Sequence, residues 1–307
     1  MVVGVTVVAA GGQSGTSRWA APIAAPPSGP AASAGSAGSS PAGSPSPSPL
    51  ASCPPNTGWD CAQQRRFAAA NALLADSPGK LGVIVHDRNT NAVWRAGTTA
   101  NTTWTASTIK LAIVATILEW HREGKISITD TDRANMSAAL VDSSNAATTT
   151  LWARYGGQPM FHRFRSKYEM TSLSVVSGYE LFWRNLRCNA EDLHHLMLYI
   201  LNDLYLDDRA YLIGKLRGVG ANQQWGVWAA GSALRPGNKN GWAQKPDSGS
   251  NRWVTHTVGF AGPSECYIVV ITYSQPPSGT LSKGIHTVSD LAATIFAATV
   301  PARVVTP

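Results

Sequence analysis

A chain of 307 residues, 44% of them hydrophobic, is long enough to bury a sizeable core. Its formal charge is +7, but the Lys and Arg residues are scattered rather than run together. That pattern speaks against a nucleic-acid partner and leaves a basic surface that an anionic cell envelope would attract.

Residues 1–10 (MVVGVTVVAA) are apolar, lack a basic lead-in and are far too short to span a bilayer. They read as a signal-like segment whose start lies upstream, or else as a plain apolar tail. Residues 21–56 are almost wholly Ala, Pro, Ser and Gly, without Lys, Arg, Asp or Glu. Such a stretch buries too little apolar surface to offset its ordering entropy. Residues 1–56 are therefore expected to be a signal-like segment and a disordered, partly polyproline-like tether, and residues 57–307 one domain. Cys53 and Cys61 flank a Pro-Pro turn and form a candidate disulfide in an oxidising compartment. Leu50-Ala51-Ser52-Cys53 also has the form of a lipobox, but Ser and Pro precede it where an apolar run belongs, so the disulfide is preferred to lipidation. Cys188 and Cys266 read as buried free thiols.

Cys61–Ala75 predicts a helix, stopped by Asp76-Ser77-Pro78-Gly79. Leu81–His86 (LGVIVH) and Ala92–Arg95 predict two strands joined by the turn Arg88-Asn89-Thr90-Asn91. A helix is expected from about Ala106 to Arg122, with more near 131–140, 145–155, 189–202, 207–217 and 283–298. Trp253–Phe260 and Tyr267–Tyr273 read as strands, and Lys239–Trp242 as the beginning or end of another. The expected fold class is α/β of the α+β kind. One mostly antiparallel five-stranded sheet is covered on one face by the first and last helices, an all-helical half lies beside it, and a cleft separates the halves.

Three short patterns carry candidate chemistry. In Ser107-Thr108-Ile109-Lys110 a serine and a lysine share one helical face. Serine needs a base to act as a nucleophile, and a buried lysine with a lowered pKa serves as one. A serine near a helix start also has a free N–H and a favourable dipole for an oxyanion. Ser-x-x-Lys alone is weak, with about one chance match expected in a chain of this size. Ser77-Pro78-Gly79-Lys80 is such a match, but Pro and Gly break the helix there. Ser107 opens an apolar helical run instead. Ser143-Ser144-Asn145 presents a hydroxyl and an amide, or simply caps the next helix. Lys239-Asn240-Gly241-Trp242 precedes the last strands; Gly241 lets a substrate backbone approach, or marks a turn.

In this order the patterns resemble those of the β-lactamase and penicillin-binding superfamily, S-x-x-K, S-D-N and K-T-G. The resemblance covers roughly residues 60–300, and SSNAATTTLWARYGG is similar to the corresponding class A region beyond the motif itself. It implies a β-lactamase-like serine hydrolase fold in which Ser107 is acylated and Lys110 helps to deprotonate it. Ser143 relays a proton to the leaving nitrogen. Asn145, Lys239, Asn240, Gly241 and Trp242 bind substrate, with the N–H groups of Ser107 and Trp242 as the oxyanion hole. The implied substrate is a β-lactam or a peptidoglycan-derived D-Ala-type peptide, with no cofactor and no metal. The chain departs from the pattern at Ser144, where the family has Asp, and at Asn240, where it has Thr. No E-x-x-L-N run supplies the class A deacylating carboxylate; Glu169 and Glu180 lie in the right region in other surroundings. Without that base the acyl-enzyme should be hydrolysed slowly. Trp104 and Trp242 flank the site and read as cleft walls or as core. There is no H-E-x-x-H and no G-x-S-x-G. The expectation is a secreted or extracytoplasmic acyl-serine hydrolase, with a membrane tether through its N-terminus as one option. The alternative is a non-catalytic envelope binding protein that retains the fold.

Overall fold

The paired strands of residues 80–87 and 267–274 are buried on both faces, and the alternation of their side chains divides them between two cores. A computed structural model describes residues 53–55, 57–247 and 249–307; the signal-like segment and nearly all of the tether lie outside the described residues. In chain order the elements begin with α1 (Cys61–Ala75), β1 (Lys80–Asp87), β2 (Ala92–Gly97) and β3 (Thr103–Trp104). Helices α2 (Lys110–Arg122), α3 (Asp130–Val141), α4 (Asn145–Tyr155) and α5 (Gln158–Ser166) follow, then β4 (Ser174–Val175), β5 (Leu186–Cys188), α6 (Ala190–Asn202) and α7 (Leu206–Arg217). The chain closes with β6 (Gly237–Asp247), β7 (Ser250–Ala261), β8 (Tyr267–Ser274) and α8 (Leu281–Ile295).

The five-stranded sheet runs β2-β1-β8-β7-β6, antiparallel throughout. Successive strand residues point to opposite faces. Leu81, Val83 and Val85 of β1 join Val269, Ile271 and Tyr273 of β8 under α1 and α8. Ile84, Ile268 and Val270 face the helical half. Both central strands thus read as nearly unbroken apolar runs because neither face meets water. The sheet order and the α1–α8 layer agree with the expected architecture.

Helix α2 is apolar all round (KLAIVATIL) and accordingly passes through the middle of the helical half, buried from Lys110 to Glu119. Helices α3, α4, α5 and α7 pack around it. α3 opens with a capping box between Thr129 and Asp132, and α6 with one between Asn189 and Asp192.

Several boundaries differ from expectation. Residues 106–109 form a 3-10 turn, not the first turn of a long helix, and α2 starts at Lys110. Lys239–Trp242 lies well inside β6 rather than at a strand end. The last helix begins earlier, capped by the Thr280 hydroxyl, and ends at Ile295. Helix α5 and the small sheet β3-β5-β4 were not anticipated. α5 is one short basic stretch whose apolar stripe is only Met160, Phe161 and Phe164, and strands of two or three residues are too short to show a period. Cys53 and Cys61 are disulfide-bonded, with Cα atoms 5.5 Å apart; Cys188 and Cys266 are free and buried.

Candidate active site

Lys110 is wholly buried where α2 begins. Its ammonium points across to the α3–α4 junction, donating to the Ser143 carbonyl at 2.6 Å, to Asn145 Oδ1 at 2.9 Å and to Ser143 Oγ at 3.4 Å. Desolvation, with a smaller contribution from the nearby Arg184 charge, lowers its pKa to about 7. The indole of Trp183 lies over the same ammonium, its centroid 5.0 Å away.

Ser143, Ser144 and Asn145 divide their duties. Ser144 caps α4, accepting from the Ala147 N–H. That leaves Ser143 and Asn145 to face Lys110. Ser143 holds a positive φ of 57°, a conformation that β-carbon sterics disfavour and that here turns its hydroxyl into the cleft. Ala106, just before Ser107, is likewise at φ 47°.

The third side of the site comes from β6. Lys239, also wholly buried, donates to Ser143 Oγ at 2.8 Å, to its neighbour's carbonyl at Asn240 at 2.8 Å and to Gln223 Oε1. Burial, followed by the charge of Lys110, pushes its pKa well below the ordinary lysine value. Gln223 had no signal in the sequence, yet it fastens three segments together. Its Nε2 donates to the carbonyls of Leu140 and Val141 at 2.6 and 2.7 Å, and its Oε1 accepts from Lys239 and from the Asn240 N–H.

Asn240 departs from its expected role. Its side chain is buried and its Nδ2 donates to the carbonyls of Gln223 and Trp225 at 2.9 and 3.1 Å, away from the cleft. Alternation along β6 sets Asn240 on the face opposite its neighbours. Gly241 does have a close neighbour, but it is the chain itself. A Cβ there would stand 2.9 Å from Ser107 N and 3.0 Å from Thr108 N, so β6 reaches the 3-10 turn only because residue 241 has no side chain.

The cleft measures about 290 Å³ and is lined by the buried Ser107, Ser143 and Trp183 and by the more exposed Asn145, Trp242, Arg184 and Lys245. None of its lining residues is acidic. Glu169 and Glu180 are both exposed and neither lines it. Ser107 is nearly buried, but among the described residues no hydrogen bond joins its hydroxyl to Lys110, and no backbone acceptor takes its N–H. Trp104 stands behind the turn; its carbonyl accepts from His256 Nε2 at 2.9 Å, while His256 Nδ1 accepts from the Tyr273 N–H at 3.0 Å. That pairing fixes a neutral imidazole, in keeping with a pKa that burial lowers to about 4. Of the other Ser-x-x-Lys match, Ser77 lies in the α1–β1 turn and Lys80 opens β1, so no helix joins them. Among the described residues no cluster of His, Cys, Asp and Glu is arranged to hold a metal ion.

A family model described as "Beta-lactamase enzyme family" matches residues 65–134 of the chain. The "Putative lipoprotein LppW" of Mycobacterium tuberculosis and of Mycobacterium bovis is 27% identical over 251 residues, which are 79% of this chain and 77% of the relative. Among solved structures, a β-lactamase from Xanthomonas campestris covers 76% of this chain and 97% of its own, with a TM-score of 0.61 and 15% identity. An ancestral class A β-lactamase gives 0.60 at 17% identity, covering 76% and 98%. The TLA-3 extended-spectrum β-lactamase gives 0.63 at 12% identity, again covering 76% and 98%. At these identities the likeness to solved structures is one of fold. The chain has the β-lactamase fold that its three motifs implied.

Proposed function

We propose, taking the β-lactamase-like fold as premise, that this chain is an extracytoplasmic serine acyltransferase or hydrolase that forms an acyl-enzyme on Ser107. The observation that carries the reading is the meeting of two buried lysines, from α2 and β6, on the single hydroxyl of Ser143 beside Ser107. With a pKa near 7, a substantial share of Lys110 is neutral at neutral pH. A neutral amine keeps two N–H bonds for the Ser143 carbonyl and Asn145 Oδ1, and its lone pair is free for the Ser107 proton.

In the acylation step the Ser107 oxygen bonds to the substrate carbonyl carbon and the carbon–nitrogen bond breaks. The Ser107 proton passes to Lys110, and a proton relayed through Ser143 reaches the leaving nitrogen, so the amine ends neutral. The N–H groups of Ser107 and Trp242 are the candidate oxyanion donors. Asn145 and Trp242 border the substrate, which is a β-lactam or a D-Ala-type peptide amide. Because no carboxylate lines the cleft, the acyl-enzyme should persist far longer than it takes to form. The Cys53–Cys61 disulfide and the lipoprotein name of the mycobacterial relatives support an oxidising, envelope location.

The test is intact-mass analysis of the folded chain after incubation with benzylpenicillin, alongside nitrocefin turnover. A stoichiometric adduct on Ser107, absent from Ser107→Ala, with little turnover, is the expected result; no adduct with either compound refutes it. A second reading, a binding protein that keeps the fold without the reaction, draws on the lack of a Ser107–Lys110 hydrogen bond among the described residues. Under that reading Ser107→Ala leaves the cellular phenotype intact while deletion of the gene does not.

A further inference from the structure

Two basic side chains line the cleft itself, apart from the two lysines buried behind it. Arg184, in the segment before β5, is exposed, and its guanidinium lies 4.9 Å from the centroid of Trp183, the same ring that covers Lys110. Lys245, near the end of β6, is half-buried. Its ammonium lies 4.4 Å from the centroid of Trp104 and donates to the Arg184 carbonyl at 3.3 Å. Trp104 is itself fixed, its Nε1 donating to the Pro246 carbonyl at 3.0 Å. Both cations therefore rest on aromatic faces that set their positions at the rim. Neither makes an ion pair among the described residues, and no acid lines the cleft. Burial and the charge of Arg184 lower the Lys245 pKa from its usual value, as expected of two cations gathered without an anion between them.

The direction along β6 says which end of a substrate meets them. Lys239 and Ser143, beside the leaving nitrogen, stand at one end. Gly241 passes Ser107, and Lys245 follows roughly 20 Å along the strand from Lys239. A substrate whose leaving group lies over Ser143 has its acyl portion under Arg184 and Lys245. The buried groups behind Ser143 offer an anion little. The Asn240 amide is turned away, and Lys239 has its protons committed to Ser143, Gln223 and Asn240.

We propose that Arg184 and Lys245 form an anion subsite for the acyl portion of the substrate, so that the cleft selects acyl donors carrying a carboxylate on that side. The inference rests on the acyl-serine reading for its orientation, and its test separates the two. Benzylpenicillin and carbenicillin differ by one carboxylate, on the acyl side chain. Their binding to Ser107→Ala is followed by tryptophan fluorescence, and their acylation of the native chain by intact mass.

Carbenicillin is expected to bind Ser107→Ala about five- to tenfold more tightly than benzylpenicillin at low salt, the scale of two rim charges. The preference should shrink with added sodium chloride and vanish in Ser107→Ala carrying Arg184→Gln and Lys245→Gln. It should survive Lys283→Gln, which removes one charge from α8 on the far face of the sheet. Equal binding of the two compounds, no binding of either, or a preference that outlasts the double substitution overturns the subsite. Should the preference appear in Ser107→Ala while neither compound acylates the native chain, the subsite stands and the acyl-enzyme proposal falls.

Discussion

The Nζ of Lys239 stands 2.8 Å from the Oγ of Ser143, although 96 positions separate them in the chain. Lys110 approaches the same oxygen from the other side, at 3.4 Å. One hydroxyl thus sits between two buried amines whose pKa values are both lowered, an arrangement suited to passing protons and of no evident use to packing.

Ser143→Ala removes that hydroxyl and keeps the backbone carbonyl that Lys110 holds. Acylation of Ser107 by benzylpenicillin should slow by about 10²- to 10⁴-fold, the usual contribution of a positioned proton-transfer group. A rate within threefold of the parent would show that Ser143 relays nothing.

The acylation rate should follow the neutral form of Lys110. With a pKa lowered to about 7, the rate climbs about tenfold per pH unit below that value and levels above it. The stability linkage has a matching sign. In the unfolded chain the amine keeps its proton to higher pH, so this group makes folding more favourable as pH rises from about 7 toward the ordinary lysine value of 10.5. Arg184→Gln removes a charge that helps to lower the Lys110 pKa, so the midpoint of the rate profile should move to higher pH. A midpoint that stays put would assign the lowering to burial alone.

Gly241→Ala forces a methyl group against the backbone of Ser107 and Thr108, at 2.9 and 3.0 Å. Neither atom is the end of a flexible side chain, so the 3-10 turn or β6 has to move. A stability loss of about 1–3 kcal/mol is expected in urea unfolding, with acylation reduced at least tenfold. Unchanged kinetics would mean that the turn tolerates displacement and that Ser107 needs no fixed approach of β6.

Gln223→Leu leaves the carbonyls of Leu140 and Val141 and one proton of Lys239 without their partner. The cost should be about 1–3 kcal/mol. Acylation should fall more than the loss of folded protein explains, because Gln223 joins the Ser143 loop to β6. Circular dichroism melts with parallel adduct measurements separate the two effects.

Acid should destabilise the fold through a second buried pair, remote from these lysines. His86 Nδ1 and His194 Nε2 lie 2.8 Å apart, and the pair shares a single hydrogen between them. Burial lowers both pKa values, that of His194 to about 4, where His86, His195 and Arg95 add repulsion and Glu191 opposes it; at His86 the hydrogen bond to Asn91 opposes the lowering. Their unfolded forms take up protons near pH 6.5, so stability is lost as pH falls from there toward 4. His256 acts with the same sign. His194→Leu should flatten the fall of melting temperature between those limits, and an unchanged slope would remove the pair from the acid response.

Much of the fold and the heart of the site were legible from local pattern. The run LGVIVH and its turn specify β1 and β2, and the breaker Asp76-Ser77-Pro78-Gly79 ends α1 on the predicted residue. The apolar helix behind Lys110 dictates that its amine be buried, and Ser143 and Asn145 flank a capping serine. All of these follow from side-chain period, capping chemistry and backbone preference, which act over a few residues. What only the tertiary structure decided is which of these groups meet. Strand alternation and the close pass of β6 over Ser107 turned Asn240 into the wall and made Gly241 a matter of clearance. Trp183 and Arg184 reach the cleft, and Gln223 braces the residues behind it, from segments without a motif, while Lys245 reaches it three positions beyond one. Their part depends on chain closure over long separations, which local chemistry permits but does not encode.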